Sequence, residues 1–176
     1  KYETELINQN LDTEVTEDQI YEYYKNNSGE FRLNRDIVRL ASVTLPNDSK
    51  KKWVFTKLFR DYDDLMIDSL TSLADQYALK YDLNINEWRN FEEVVNTYNL
   101  KIKDNKSFLN DKKFFVDTYT LVKICEYRLV GDESPCEMET DRIKYIILTN
   151  RKKSLLENLY NDLYSKAIQD KALEVF

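Results

Sequence analysis

Asp61, Asp63, Asp64 and Asp68 form the densest group of oxygen ligands in this 176-residue chain, the kind of cluster a hard cation would require. The segment lacks the sixth-position glycine and the twelfth-position glutamate of a calcium loop. Carboxylates gathered at a helix start, where the helix dipole favours negative charge, explain it better. No metal and no cofactor is expected. Cys125 and Cys136 are compatible with a disulfide or with two free thiols, and Cys125 reads as a small core residue on its strand. The chain has no histidine, so Ser-His-Asp and Cys-His sites, histidine-bound zinc and imidazole acid–base pairs are all excluded. With only Gly29 and Gly131, neither a dinucleotide fingerprint nor a P-loop can be built. Lys50, Lys51, Lys52, Lys57 and Arg60 interleave with Trp53 and Phe55, as in a basic–aromatic nucleic-acid patch. A net charge of −6 and the lack of a nucleic-acid motif favour a solvated helix face, and no nucleic-acid partner is expected.

The elements that would position such residues can be read from hydrophobic spacing. Leu6, Ile7 and Leu11 suggest a first helix. Thr16 with Gln19 forms a capping box for a second, and Val15 and Ile20 form its hydrophobic staple. That helix ends at Asn26–Gly29, with Gly29 suited to the left-handed closing position. Residues 37–45 alternate: Val38, Leu40, Ser42 and Thr44 face one way, Ile37, Arg39, Ala41, Val43 and Leu45 the other, which predicts a strand partly buried on both sides. A short basic helix covers Lys50–Arg60, and a longer one runs from Leu65 to Tyr81. A short helix is predicted near Glu92–Tyr98, then a hairpin turning at Val116–Thr118 whose second strand runs from Tyr119 to about Leu129. Ser134, Pro135 and Glu137 read as a second capping box, opening a helix that continues to about Lys171. Its stripe of Leu155, Leu156, Leu159, Tyr160, Leu163, Tyr164 and Ala167 is wider than a one-sided face needs. Residues 171–176 alternate like a short strand. No apolar run approaches a bilayer span, and the opening KYETELINQN is not a signal peptide, as in a fragment or processed product.

Two strings carry a resemblance. VTEDQIYEYYKNNSGEFRL followed by IVRLASVTL resembles the joint between the N-terminal helices and the isomerase module of SurA-type chaperones. TYTLVKICEYRLVGDESP resembles the last strand of the parvulin-type peptidyl-prolyl isomerase module and its exit loop. The segment from Glu137 onward resembles the family's long returning helix, and the nearest group is the SurA-related isomerase-like proteins of Bacteroidetes. The resemblance implies an α+β fold in which a parvulin-like module (36–133) is inserted between an N-terminal helical segment (1–35) and a long C-terminal helix (134–176) that completes a helical lobe.

It also implies an ATP-independent holdase for unfolded or extended polypeptide clients of the periplasm or the periplasmic face of the outer membrane, with a homodimer through the helical lobe and a lipid anchor as further expectations. The family's two catalytic histidines fall on Ser42 and Thr120. Neither side chain replaces an imidazole, so the isomerase chemistry is expected to be lost. An active isomerase with a non-histidine site and an adaptor with one fixed partner are the alternatives. Among thirteen tyrosines, Tyr23, Tyr160 and Tyr164 are placed on a client groove, since tyrosine joins a large apolar face to a wet hydroxyl. The plainer reading is that they pack the helical lobe against itself.

Overall fold

The computed structural model describes residues 7, 10–60, 67–111, 114–117 and 119–169. The expected first helix falls largely, and the expected terminal strand wholly, outside these residues, as do Asp61, Asp63 and Asp64. The chain divides into two compact units: Arg32–Ser134, and Lys1–Phe31 together with Pro135–Phe176. The fold is of the α+β class.

The first unit is built on β1 (Ile37–Thr44), whose alternating pattern buries both of its faces. Along one edge it pairs with the short strands β2 (Lys80–Asp82) and β3 (Arg89–Asn90); along the other it pairs with β5 (Thr120–Arg128). Strand β4 (Phe114–Asp117) lies outside β5, and every pairing is antiparallel. Helices α2 (Lys52–Arg60) and α3 (Ile67–Tyr77) bring Phe55, Phe59, Leu70 and Ala74 onto Ala41, Val43, Leu45 and Leu121. On the opposite side, α4 (Phe91–Thr97) and α5 (Asn105–Asp111) bring Phe91, Val94 and Leu109 onto Val38, Leu40, Val122 and Ile124. Strand parity therefore sorts the residues of β1 between two cores.

Three sequence expectations change here. The helix predicted to reach Tyr81 ends at Tyr77, because Leu79 N–H donates to the Thr44 carbonyl at 2.9 Å and Tyr81 enters β2 opposite Val43. Helix α5 is an element the spacing did not reveal. Asp104 caps it by accepting from Ser107 N–H at 2.8 Å, and this bond together with one from the Ser107 side chain holds the Asp104 carboxyl below its usual range. Cys125 is exposed rather than core. The register passes from Arg39↔Glu126 to Leu40↔Ile124, so Cys125 is the extra residue of a β-bulge and has no partner position on β1.

The second unit holds α1 (Glu17–Asn26) and the long α6 (Cys136–Gln169), 34 residues or roughly 51 Å at the usual rise. The Thr16–Gln19 capping box is present in both directions, with Gln19 N–H donating to Thr16 Oγ1 at 3.3 Å and Thr16 N–H to Gln19 Oε1 at 3.1 Å. Gly29 does not take the left-handed position; it lies in a 3₁₀ turn, Ser28–Glu30, and the one glycine with positive φ is Gly131. Asn27 closes α1 instead, its backbone N–H and its side-chain amide both donating to the Tyr23 carbonyl. Helix α6 opens at Cys136, one residue past the proline expected to begin it. Ile20, Phe31 and Ile143 form the core of this unit, with Val15, Tyr23, Tyr24 and Ile147 around them. Arg151 fastens α6 to α1 and the segment before it, donating to the backbone carbonyls of Asp12 (3.0 Å) and Glu14 (2.6 Å) and to Gln19 Oε1 (3.0 Å). No helix among the described residues is long and apolar enough to cross a membrane.

Candidate functional site

Ser42 and Thr120, the positions matched to the family's histidines, lie on neighbouring strands of the sheet unit. Ser42 pairs with Val122 and Thr44 with Thr120, so Ser42 and Thr120 are diagonal neighbours on one face. Their hydroxyls are engaged separately. Ser42 is buried and accepts from Tyr98 Oη at 2.9 Å; the Thr120 and Thr44 hydroxyls are hydrogen-bonded to each other at 3.1 Å. Tyr98 sits just after α4, whose N-cap Asn90 accepts from Glu92 N–H, so the short helix sets where the phenol reaches the sheet. Sequence reasoning found the two strand positions but not Tyr98 or Thr44; the opposition of Thr44 and Thr120 would have followed from the register alone.

Chemically this is a row of neutral hydroxyls over an apolar layer. It can hold a hydrogen-bonded group, but the chain has no imidazole to place there, and the register sets an acidic residue beside it, Asp117, the cross-strand partner of Thr120. Cys125, on the same strand as Thr120, is exposed at its bulge with its thiol toward the Lys123 carbonyl, and it is not joined to Cys136 in a disulfide. Burial, with Glu137 and Glu139 nearby, pushes the Cys136 thiol up. No group of three or more cysteines and carboxylates among the described residues is arranged to hold a metal ion.

The three tyrosines assigned to clients separate into two settings. Tyr23 is half-buried, meets Phe31 edge-on at 6.4 Å between ring centres, and lines a cavity of about 520 Å³ with Leu11, Ile147, Arg151 and Leu155. Tyr160 and Tyr164 lie farther along α6. They are 55% and 54% exposed and share one side of the helix with Leu163 (52%) and Ile168 (42%). At about 100° per residue these four span roughly 140° of the circumference. The predicted stripe thus divides: Leu155, Leu156 and Leu159 are partly covered, while the residues after Leu159 stand mostly in solvent.

No protein family matches the chain, and no curated protein does either. Among solved structures, one similar chain comes from work on the virulence factor PEB4 and the periplasmic protein Cj1289 of Campylobacter jejuni, described there as two structurally related SurA-like chaperones. It is 11% identical, the alignment covers 99% of this chain and 68% of that one, and the TM-score is 0.36.

Proposed function

We propose that this protein is an ATP-independent holdase of the SurA-like kind, binding extended, aromatic-rich segments of unfolded envelope proteins in the periplasm, with a parvulin-like unit that has lost its isomerase chemistry. The observation that carries the reading is the exposed row of Tyr160, Leu163, Tyr164 and Ile168 on α6. Large apolar side chains grouped on one face mark interaction sites more often than isolated ones do. Tyrosine suits the task because it buries a broad ring and keeps its hydroxyl wet, so a client segment is held without a fully dry interface. The hydroxyl row at Ser42, Thr44, Tyr98 and Thr120 belongs to the same reading, since groups already bonded to one another and carrying no imidazole leave the imide barrier of roughly 18–20 kcal/mol nearly intact.

The test is suppression of aggregation of a chemically denatured client at stoichiometric concentration. The wild-type chain is expected to suppress it, and a Tyr160→Ser/Leu163→Ser/Tyr164→Ser variant with unchanged circular dichroism to suppress it several-fold less. Equal suppression by the two proteins, or none by either, overturns the reading. An NMR exchange measurement on a proline peptide completes the test. Exchange is expected at the uncatalysed rate, and clear turnover would restore the isomerase alternative.

A further inference from the structure

We infer that the outer face of α2 is a docking surface for anionic phospholipid headgroups at a membrane surface. The helix is amphipathic in an unusual sense. Its inner side gives Phe55 and Phe59, both fully buried, to the core of the sheet unit. Its outer side carries Trp53, Lys57 and Arg60, which fall within about 60° of the helix circumference, and Lys50, in the turn just before the helix, lines the same depression. Trp53 lies inside this stripe and is 69% exposed, although tryptophan is among the side chains most readily covered. No hydrogen bond or ion pair within the described residues engages the head groups of Lys50, Lys57 or Arg60. The stripe is therefore a run of free cations on a chain whose net charge is −6. In sequence it ends where Asp61, Asp63 and Asp64 begin.

The shape of the surface selects the partner. The depression over the stripe is about 700 Å³, and every described residue that lines it belongs to the single segment 49–60. It is the outside of one helix and the turn that leads into it, with no second wall among the described residues to enclose a peptide strand or a nucleotide. An extended, flat, negatively charged partner fits such a surface. An indole among lysines is the side-chain set that settles at the headgroup level of a bilayer, with the ring in the interface and the cations on the phosphates. Single-stranded nucleic acid is the other linear polyanion, but it is held by successive aromatic platforms in a basic groove, and here there is one indole. Because Phe55 and Phe59 are committed to the core, no apolar face remains to enter the acyl region. Binding is therefore peripheral, reversible and sensitive to salt.

The experiment is co-sedimentation of the whole chain with phosphatidylcholine vesicles, with and without about a third of phosphatidylglycerol. Trp53 emission is read in parallel in a Trp88→Phe background. Pelleting with the anionic vesicles at low salt is expected, together with a blue shift of Trp53. Binding to neutral vesicles should be at least about tenfold weaker, and 0.5 M salt should cause a loss of similar size. A Lys50→Gln/Lys57→Gln/Arg60→Gln variant, checked for an unchanged melting temperature, should lose the pelleting and the shift together. A Lys101→Gln/Lys103→Gln/Lys106→Gln variant, which removes the same charge elsewhere, should keep both. Equal pelleting with neutral vesicles, an unshifted Trp53, or tighter binding of a single-stranded oligonucleotide than of anionic vesicles would overturn the inference. The client test above does not involve α2, so the two proposals fail separately.

Discussion

Ser42 is a polar residue in a position where strand parity demands an apolar one, and Tyr98 is what makes it tolerable. The phenol donates to Ser42 Oγ at 2.9 Å from the loop after α4. Tyr98→Phe removes the donor and leaves the hydroxyl to find another partner in a buried layer. The expected loss is about 1 kcal/mol of stability in urea unfolding, typical of one such bond. An unchanged midpoint would show that Ser42 is satisfied without the phenol. The thiols give a second prediction at this scale. Cys125 stands in solvent on its bulge, while Cys136 is half-buried with its thiol pushed up. A raised pKa means less thiolate at a given pH, so alkylation read by mass spectrometry at mildly alkaline pH should modify Cys125 several-fold faster than Cys136. Side-chain partners of this kind were the least legible part of the sequence. Ser42 and Thr120 could be placed on strands by pattern, whereas Tyr98 lies 56 positions from Ser42 and becomes its neighbour only through the packing of α4. Cys125 was misread because a bulge interrupts the alternation that parity arguments assume.

Elements with strong local signals were readable in advance. The Thr16–Gln19 box was visible as four letters and is formed in the structure, and Thr16→Ala should cost about 1 kcal/mol, detectable as a lower helical melting midpoint. A neutral result would mean that α1 is held by Ile20 and its neighbours alone. Strand β1 was legible because eight residues give four repeats of a two-residue period. Strands β2 and β3, of three and two residues, are shorter than any period can define, and they exist because the edge of β1 offers them partners. At the end of α1 the sequence reading gave the closing position to Gly29, and Asn27 takes it instead. The asparagine amide reaches the Tyr23 carbonyl, so the chain has no need of the glycine's left-handed freedom. The stripe on α6 is over-wide in sequence, but spacing alone could not say which part of its arc would be covered.

At the scale of the molecule, each unit has its own core. Phe31 is fully buried between α1 and α6, meeting the Tyr24 ring in a stack at 5.6 Å and the Arg142 guanidinium at 5.2 Å. Phe31→Ala should cost roughly 3–5 kcal/mol of local stability. Hydrogen exchange should then lose protection in residues 17–26 and 136–169 while 37–44 and 120–128 keep theirs. Uniform loss across both sets would mean that the units unfold as one. That helices and strands mix in this chain was legible from the change of period, and the resemblance implied the α+β class. The way the middle of the chain is tied at its base was not. Arg32 bridges to Glu133 there, Leu33 N–H donates to the Asp132 carbonyl at 3.0 Å, and Gly131 N–H donates to the Leu33 carbonyl at 2.9 Å. To the helices on either side, about a hundred intervening residues therefore behave as a short hairpin, because the cost of closing that long loop is met once, when the base zips. With its two ends stitched side by side, the middle of the chain can vary in length at little cost to the pairing of α1 with α6.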